Sequence, residues 1–268
     1  MQNNFLEHIF VFTSHEEYPA SAVALAQQFS RGYEKPLCFV SFLDKKIKAS
    51  KSEIEAIHRQ WLNELAPQCE LPPASHILDS RVDFQAFMER AEASIVIFQL
   101  SENAGYNKVM PLLKMCRELR VPYIFSKPYF EPAELQKILV PVSFLVEDRE
   151  KGVFANSLGR WFGAELLLMP AKDYGTKARQ NTHAICSLLD KYNLSYKFIE
   201  AMKDSFKVEL EAIRRTGELG ADLTLISASR EYGLDDIVFG PKELACINEA
   251  SVPVMLINPR ADLYVLCG

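Results

Sequence analysis

The sequence lacks the features that mark several classes of protein. No segment approaches the ~18 uninterrupted apolar residues of a membrane span. Residues 1–4 lack the basic region and the long apolar run of a secretory signal. The six cysteines form no CxxC pair, and the five histidines show no HxxxH or HExxH spacing. We therefore expect a cytoplasmic protein with no membrane partner, no disulfide framework and no metal site.

The chain also has no excess of basic residues over acidic ones. The formal net charge of the chain is −5, and neither half has an excess of Lys and Arg over Asp and Glu. A nucleic-acid-binding protein usually needs a basic face, so we expect no nucleic-acid partner. The 268 residues, of which 49% are hydrophobic and 24% charged, suit about two globular domains.

Catalytic motifs are missing as well. The chain contains no G-x-S-x-G elbow and no G-x4-G-K-[ST] loop. Cys38 lies in the middle of a predicted strand, which favours a core position over a nucleophile. Trp61 and Trp161 lie on apolar stripes of predicted helices, so packing explains them better than ligand stacking. We expect no enzymatic activity.

A long internal repeat is present. Residues 221–259 are predicted to form a strand, loop, helix and strand, and residues 92–128 have the same order. VPVMLINP at the end of residues 221–259 matches VPYIFSKP at the end of residues 92–128. The two copies lie roughly half a chain length apart, which indicates a domain duplication because solenoid units are much shorter.

Apolar periodicity predicts alternating strands and helices in each half. The predicted strands are residues 8–13, 37–42, 76–78, 95–100 and 121–125, then 137–142, 166–169, 196–199, 223–226 and 252–257. The predicted helices are residues 19–29, 52–65, 84–93 and 109–119, then 147–162, 178–192, 207–219 and 243–250. Strict alternation favours an α/β fold with two open, doubly wound (Rossmann-like) parallel sheets covered by helices on both faces.

The second half resembles a universal stress protein domain. The resemblance is carried by KILVPV, WFGAELLL, GADLTLIS and GPKELACINEASVPVMLI within residues 137–259, and more weakly by EASIVIFQ and RVPYIF in the first half. It implies two tandem domains, residues 1–130 and 137–262, with a further strand or tail at residues 263–268. It also implies a five-stranded sheet of order 3-2-1-4-5 and, as in many members, an adenosine nucleotide between the first and fourth strands.

The second half departs from the nucleotide-binding pattern of that family. Nucleotide-binding members have an Asp after the first strand and a loop reading G-x2-G-x9-G-[ST], whose glycines let amides approach phosphates. Here Ser143 replaces the Asp, Ser227 and Arg230 replace two glycines, and Pro241 replaces the hydroxyl residue, while Gly240 remains. The side chains of Ser227 and Arg230 would occupy the space that phosphates use in the family. Pro241 has neither a backbone N–H donor nor a hydroxyl group. In the alternative interpretation, Arg230 supplies a charged donor to a phosphate.

Further candidates line the same kind of crevice. Val142 and Met169 end the first two strands of the second half, and complete its candidate ligand-binding set. In the first half, Thr13 and Ser14 follow the first strand and Ser101 follows the fourth, so a doubly wound sheet would bring them to one crevice. These residues either bind a small polar ligand or cap strand and helix ends, and capping is the commoner role.

The resemblance and the altered motif favour a regulatory or scaffolding stress-response protein that acts through protein partners and needs no cofactor. A module that binds ATP, another adenine nucleotide or a small ligand at the crevice is the alternative, and a slow ATPase is less favoured.

Each fifth strand is predicted to lie at the rim of its sheet. The family resemblance implies pairing there, so we expect an internal pseudo-dimer through residues 121–125 and 252–257. A homodimer of the whole chain is left open.

Overall fold

The structure is a computed structural model that describes residues 7–14, 16–43, 49–101, 106–130, 134–229 and 241–260. The chain divides into two compact units, the first comprising residues 1–103 and 107–131 and the second residues 104–106 and 132–268. The predicted C-terminal strand or tail at residues 263–268 lies outside the described residues.

The first unit alternates strands and helices. Its elements are β1 (Ile9–Phe12), α1 (Ala20–Tyr33), β2 (Leu37–Phe42), α2 (Lys51–Leu65), β3 (Ala74–Leu78), α3 (Phe84–Arg90), β4 (Ile95–Gln99), α4 (Tyr106–Cys116) and β5 (Tyr123–Ser126). All adjacent strands are parallel, in the order β3-β2-β1-β4-β5.

The second unit has the same succession. Its elements are β6 (Lys137–Val142), α5 (Glu150–Phe162), β7 (Glu165–Pro170), α6 (Lys177–Lys191), β8 (Tyr196–Phe198), α7 (Val208–Leu219), β9 (Leu223–Ser227), α8 (Lys242–Glu249) and β10 (Val254–Ile257). Its strands are also parallel, in the order β8-β7-β6-β9-β10. The predicted α/β class and the order 3-2-1-4-5 are confirmed in both units.

Local signals explain where several helices begin and end. Ser50 and Glu53 form a capping box at the start of α2, in which the Glu53 carboxylate accepts the Ser50 amide at 2.7 Å. Helices α5 and α7 end at Gly163 and Gly220, whose φ angles are +64° and +63°. Glycine adopts this left-handed conformation without a Cβ clash, so both predicted helix ends are confirmed.

The two tryptophans have different environments. Trp61 is buried against Phe39 and His58, with ring centroids 5.6 and 5.7 Å away, as predicted. The prediction that Trp161 packs in the core is wrong, because half of its surface is exposed. The buried stripe of α5 includes Gly152, Ala155 and Gly159. At 3.6 residues per turn that stripe continues at residue 163, which places residue 161 on the outer side.

Two kinds of feature are missing from the described residues. They contain no helix that is long and apolar enough to cross a membrane. They contain no cluster of three or more His, Cys, Asp or Glu side chains arranged to hold a metal ion.

Candidate functional site

The centre of the second sheet brings two candidate residues to one edge. Strands β6 and β9 are hydrogen-bonded neighbours, with Ile138 opposite Leu223. Their carboxyl ends lead to Ser143 and Ser227, and helices α5, α7 and α8 all begin at this edge. Ligands of doubly wound sheets bind at this position, so the topology places Ser143 and Ser227 where the sequence predicted a crevice.

A buried carboxylate connects the two strand ends. One oxygen of Asp148, Oδ2, accepts the Ser143 amide at 2.5 Å, and the other, Oδ1, accepts the Ser227 hydroxyl at 2.6 Å. Asp148 lies in a short 3-10 helix (Val146–Arg149) that leads into α5, and 1% of its surface is exposed. The crevice between β6 and β9 is therefore bridged by a side chain of the protein itself.

A fully buried lysine lies beside this bridge. The Lys151 ammonium donates to the Pro141 carbonyl and to Oε1 of Glu209, both at 2.8 Å, and lies 3.2 Å from Oδ1 of Asp148. An ammonium group has three donors, and these three oxygens can accept all of them. Paired in this way, the charge can be buried in the fold.

Glu209 is the second acidic centre of the cluster. Its Oε1 accepts the Ser227 amide at 2.8 Å, and its Oε2 accepts the Lys242 ammonium at 2.7 Å. Burial alone would raise the pKa of Glu209, but the charges of Lys151 and Lys242 outweigh burial and hold that pKa at about 2. Burial also opposes the charge of Lys242, yet Glu209 raises the pKa of this lysine. We call Asp148, Lys151, Glu209 and Lys242 the ion cluster.

The start of α8 carries another buried carboxylate. Glu243 is fully buried and accepts the Ser229 amide. Burial raises the pKa of Glu243, more than its hydrogen bonds and Lys242 lower it. The candidate residues Arg230 and Gly240, which lie between Ser229 and α8 in the sequence, are outside the described residues.

The other predicted residues of the second unit have structural surroundings. The Ser143 hydroxyl accepts the Leu145 amide at 3.2 Å, and the Ser143 carbonyl accepts Nδ2 of Asn181 at 3.0 Å. These bonds are typical of a serine that shapes a turn. Val142 and Met169 are fully buried, and Met169 belongs to a core cluster with Leu139.

Sequence reasoning missed the ion cluster, although a signal was present. Lys151 precedes Ala155 and Leu158 by four and seven residues, so it lies on the apolar stripe of its helix. Glu209 is aligned in the same way with Ala212 and Thr216 in α7. Opposite charges on buried stripes of two helices that begin at the same sheet edge are the pattern that predicts such a pair.

In the first unit, neutral side chains bond to the start of α1. Two first-turn amides of α1, those of Ser21 and Ala22, donate to Oε1 of Gln99 at 2.9 and 3.2 Å. The hydroxyls of Ser21 and Ser126 are 2.6 Å apart. The start of α1 is thus joined to the ends of β4 and β5, and Gln99 takes two helix amides that could otherwise hold an anion.

The three candidates of the first unit follow neighbouring strands. Strands β1 and β4 are paired, so Thr13, Ser14 and Ser101 lie at the same edge. The Thr13 amide donates to the Val40 carbonyl at 3.0 Å, and 4% of Thr13 is exposed. Ser14 and Ser101 are exposed, and the Ser101 hydroxyl accepts the Lys108 ammonium at 3.0 Å.

Comparison with known proteins identifies the fold. The sequence matches no protein-family model and no curated protein. In structure the chain is similar to a universal stress protein from Archaeoglobus fulgidus, with a TM-score of 0.68 at 13% identity, over 97% of this chain and 100% of that one. It is also similar to a protein of unknown function from Pseudomonas aeruginosa, with a TM-score of 0.66 at 17% identity, over 98% of this chain and 95% of that one.

The same fold occurs in another setting. The cytoplasmic domain of a prokaryotic cation chloride cotransporter matches with a TM-score of 0.55 at 14% identity, over 97% of this chain and 99% of that one. At these identities the likeness defines the fold, which is that of the universal stress proteins. The function has to be argued from the site.

Proposed function

We propose that this chain is a regulatory or scaffolding protein that acts through protein partners and has lost nucleotide binding in its second unit. The observation that carries the proposal is the ion cluster at the carboxyl ends of β6 and β9, since its carboxylates already accept the amides of Ser143 and Ser227. The family resemblance of the sequence suggests a role in the stress response, and it predicts the pseudo-dimer through residues 121–125 and 252–257.

The ion cluster disfavours a triphosphate for two reasons. Amides that could donate to phosphate oxygens already donate to carboxylates, and displaced carboxylates would then repel the phosphates. Moving Glu209 away would also leave the buried Lys151 ammonium with fewer partners, and breaking a buried pair costs about 3–5 kcal/mol. That cost would subtract from any affinity for the nucleotide.

The neutral contacts of the first unit support the same conclusion there. Gln99 accepts two amides at the start of α1, where an anion would otherwise find donors. The contacts of Thr13 and of Ser101 suit structural roles for both residues. We therefore propose that neither crevice holds a nucleotide and that the chain has no ATPase activity.

Calorimetric titration with Mg-ATP, ADP and AMP tests the proposal, after any co-purified nucleotide has been identified. We expect no binding tighter than about 100 μM, which corresponds to roughly 5.5 kcal/mol. We also expect no phosphate release from ATP above the rate without protein.

The matched variants are Arg230→Ala and Arg214→Ala, the latter changing an exposed arginine that pairs with Glu249. Tight binding that Arg230→Ala abolishes and Arg214→Ala preserves would contradict the proposal. It would favour the alternative, a nucleotide-binding module that uses Arg230 as a phosphate donor.

A further inference from the structure

One side of helix α5 faces α6, and the opposite side carries a stripe of its own. A Cβ added at Gly152 would lie 3.0 Å from Ile185 of α6, and a Cβ added at Gly159 would lie 3.0 Å from Leu194, which follows α6. At 3.6 residues per turn, the opposite side carries four residues at steps of four, three and four positions. We call them the outer stripe: Glu150, Phe154, Ser157 and Trp161.

The outer stripe has two large aromatic side chains. Half of the surface of Trp161 is exposed, and Phe154 is half-buried. The Ser157 hydroxyl donates to the Val153 carbonyl of its own helix at 3.2 Å, so its polar group is already bonded. This side of α5 therefore offers apolar surface to a further segment of protein.

The chain that follows β10 is tied to the start of the outer stripe. Glu150 is fully buried, and its two carboxylate oxygens accept the Arg260 amide at 2.8 and 2.7 Å. Hydrogen bonds to an ionised acceptor are about twice as strong as neutral ones, so residue 260 is held firmly at the first turn of α5. The sequence after Arg260 thus starts from the side of α5 that carries Phe154 and Trp161.

An apolar run follows at once in the sequence. Leu263, Tyr264, Val265 and Leu266 come two residues after Arg260 and lie outside the described residues. An extended chain advances about 3.3 Å per residue and a helix about 1.5 Å. A segment running along α5 from Glu150 would therefore bring these four residues level with roughly residues 157–163 of the helix. That stretch includes Trp161.

We propose that residues 263–266 pack along the outer stripe of α5, with Trp161 as their main contact. Packing there removes apolar surface of the segment and of the two aromatic rings from water. The segment belongs to the same chain, so its effective concentration at the stripe is about millimolar, which favours it over a second molecule.

The packed segment would also restrain the start of α5. Glu150, which holds the Arg260 amide, lies between Asp148 and Lys151 of the ion cluster. The inference does not depend on the proposed loss of nucleotide binding, because it concerns contacts within the chain.

Disulfide formation in the full chain tests the proposal. Ser157→Cys is combined with Leu263→Cys, and in a second variant with Tyr264→Cys, because successive side chains of an extended segment point to opposite sides. A bridge needs Cα atoms within about 7 Å, so we expect one of these pairs to oxidise about tenfold or more faster than a control pair. The controls combine Lys191→Cys, exposed at the far end of α6, with the same two positions.

Competing thiols are removed from all of these variants. Cys69→Ser and Cys267→Ser take away a partly exposed cysteine and the cysteine next to the apolar run. Peptide mass spectrometry identifies each bridge, and gel filtration separates bridges within one molecule from bridges between two.

Tryptophan fluorescence is a second test, which needs no new cysteine. Trp61→Phe leaves Trp161 as the only tryptophan of the chain. In that background, replacing residues 263–266 together by serine should shift the Trp161 emission to longer wavelength and increase its quenching by acrylamide. Leu71→Ser, at an exposed position of the first unit, should change neither. The urea midpoint of each variant shows whether it is folded.

Three outcomes would overturn the inference. The first is that neither pair with Ser157→Cys bridges faster than its control. The second is that the serine replacements leave the emission and quenching of Trp161 unchanged. The third is that the bridges form between molecules, which would assign the outer stripe to a second copy of the chain. Nucleotide binding in the separate titrations would contradict the proposed function and leave this inference standing.

Discussion

At the scale of single residues, Lys151 is a buried charge that depends on its partners. Its ammonium group is fully buried and its charge is compensated by Asp148 and Glu209. Replacing only the lysine removes the cation beside the buried Asp148 carboxylate and leaves Glu209 with Lys242 alone, whereas replacing Lys151, Asp148 and Glu209 together removes the buried charges as a set. We therefore expect stability to depend on the balance of positive and negative charge in the ion cluster more than on any one of its hydrogen bonds.

Lys151→Met should therefore lower the free energy of unfolding by about 3–5 kcal/mol, as other broken buried ion pairs do. Urea denaturation with linear extrapolation measures the change. Lys191→Met, at an exposed position, should change it by less than about 0.5 kcal/mol. Combining Lys151→Met with Asp148→Asn and Glu209→Gln should recover part of the loss. A loss below about 1 kcal/mol for Lys151→Met would show that the pair is not compensating buried charge.

Glu209 should make stability depend on acid. Its pKa is lowered in the folded state to about 2, below its ordinary value near 4.5. Stability from this group is complete above the unfolded-state pKa and is lost as the pH falls from about 5 to about 2, with a total of roughly 3 kcal/mol. Urea midpoints between pH 7 and pH 3 should fall more steeply for the wild type than for Glu209→Gln. Parallel profiles would be evidence against a charged Glu209 in the fold.

At the scale of the elements, helix α7 has one glycine within it and one at its C-terminal cap, and the two have opposite conformational demands. Gly220 ends the helix at a φ of +63°, where a Cβ is strained. Gly217 lies within the helix, and a Cβ there would meet nothing within 4 Å. Alanine is favoured over glycine within helices, because glycine loses more backbone entropy.

We expect Gly220→Ala to lower the free energy of unfolding by about 1 kcal/mol and Gly217→Ala to raise it by about 0.5–1 kcal/mol. The two variants change the same atoms three residues apart, so each is the control for the other. Thermal and urea unfolding measure both. Changes of the same sign would mean that helix α7 does not end at Gly220.

The elements were the part of the molecule most open to prediction. Strand and helix positions follow from local apolar periodicity, so their order and the positions of Ser143 and Ser227 at one sheet edge were predicted. The predicted packing of Trp161 is wrong, because the buried stripe of α5 includes small residues such as Gly152 and Gly159, and Trp161 lies outside it. The ion cluster pairs Lys151 with Glu209, 58 positions away in sequence. Apolar periodicity can place each of these charges on a buried stripe of its helix, but it does not specify which buried charges pair with each other.

At the scale of the whole molecule, the free thiols report on the integrity of both units. Cys38 and Cys116 lie in the first unit and Cys246 in the second, all three buried. Burial raises the pKa of each of these thiols, so little thiolate is present and access is blocked. Cys69 is less buried, and although burial also raises its pKa, the charge of Arg31 opposes that shift.

Alkylation of the intact protein with iodoacetamide at pH 8 should thus modify Cys69 well before Cys38, Cys116 and Cys246. Peptide mass spectrometry measures each site over time. The thiols of Cys38, Cys116 and Cys246 should react only in denaturant, at the concentration that unfolds the unit containing them. Early reaction of Cys246 in native buffer would contradict the tight packing of α8 on its sheet.

Different groups take up helix and strand-end amides in the two units, the uncharged amide of Gln99 in one and the carboxylates of the ion cluster in the other. The Gln99 amide has no proton to gain, whereas the contacts of Glu209 weaken once its carboxylate is protonated. Acid therefore breaks the apparent symmetry of the duplication. The same fold, present twice in one chain, therefore has one unit whose Gln99 contacts do not depend on pH and one unit whose Glu209 contacts weaken in acid.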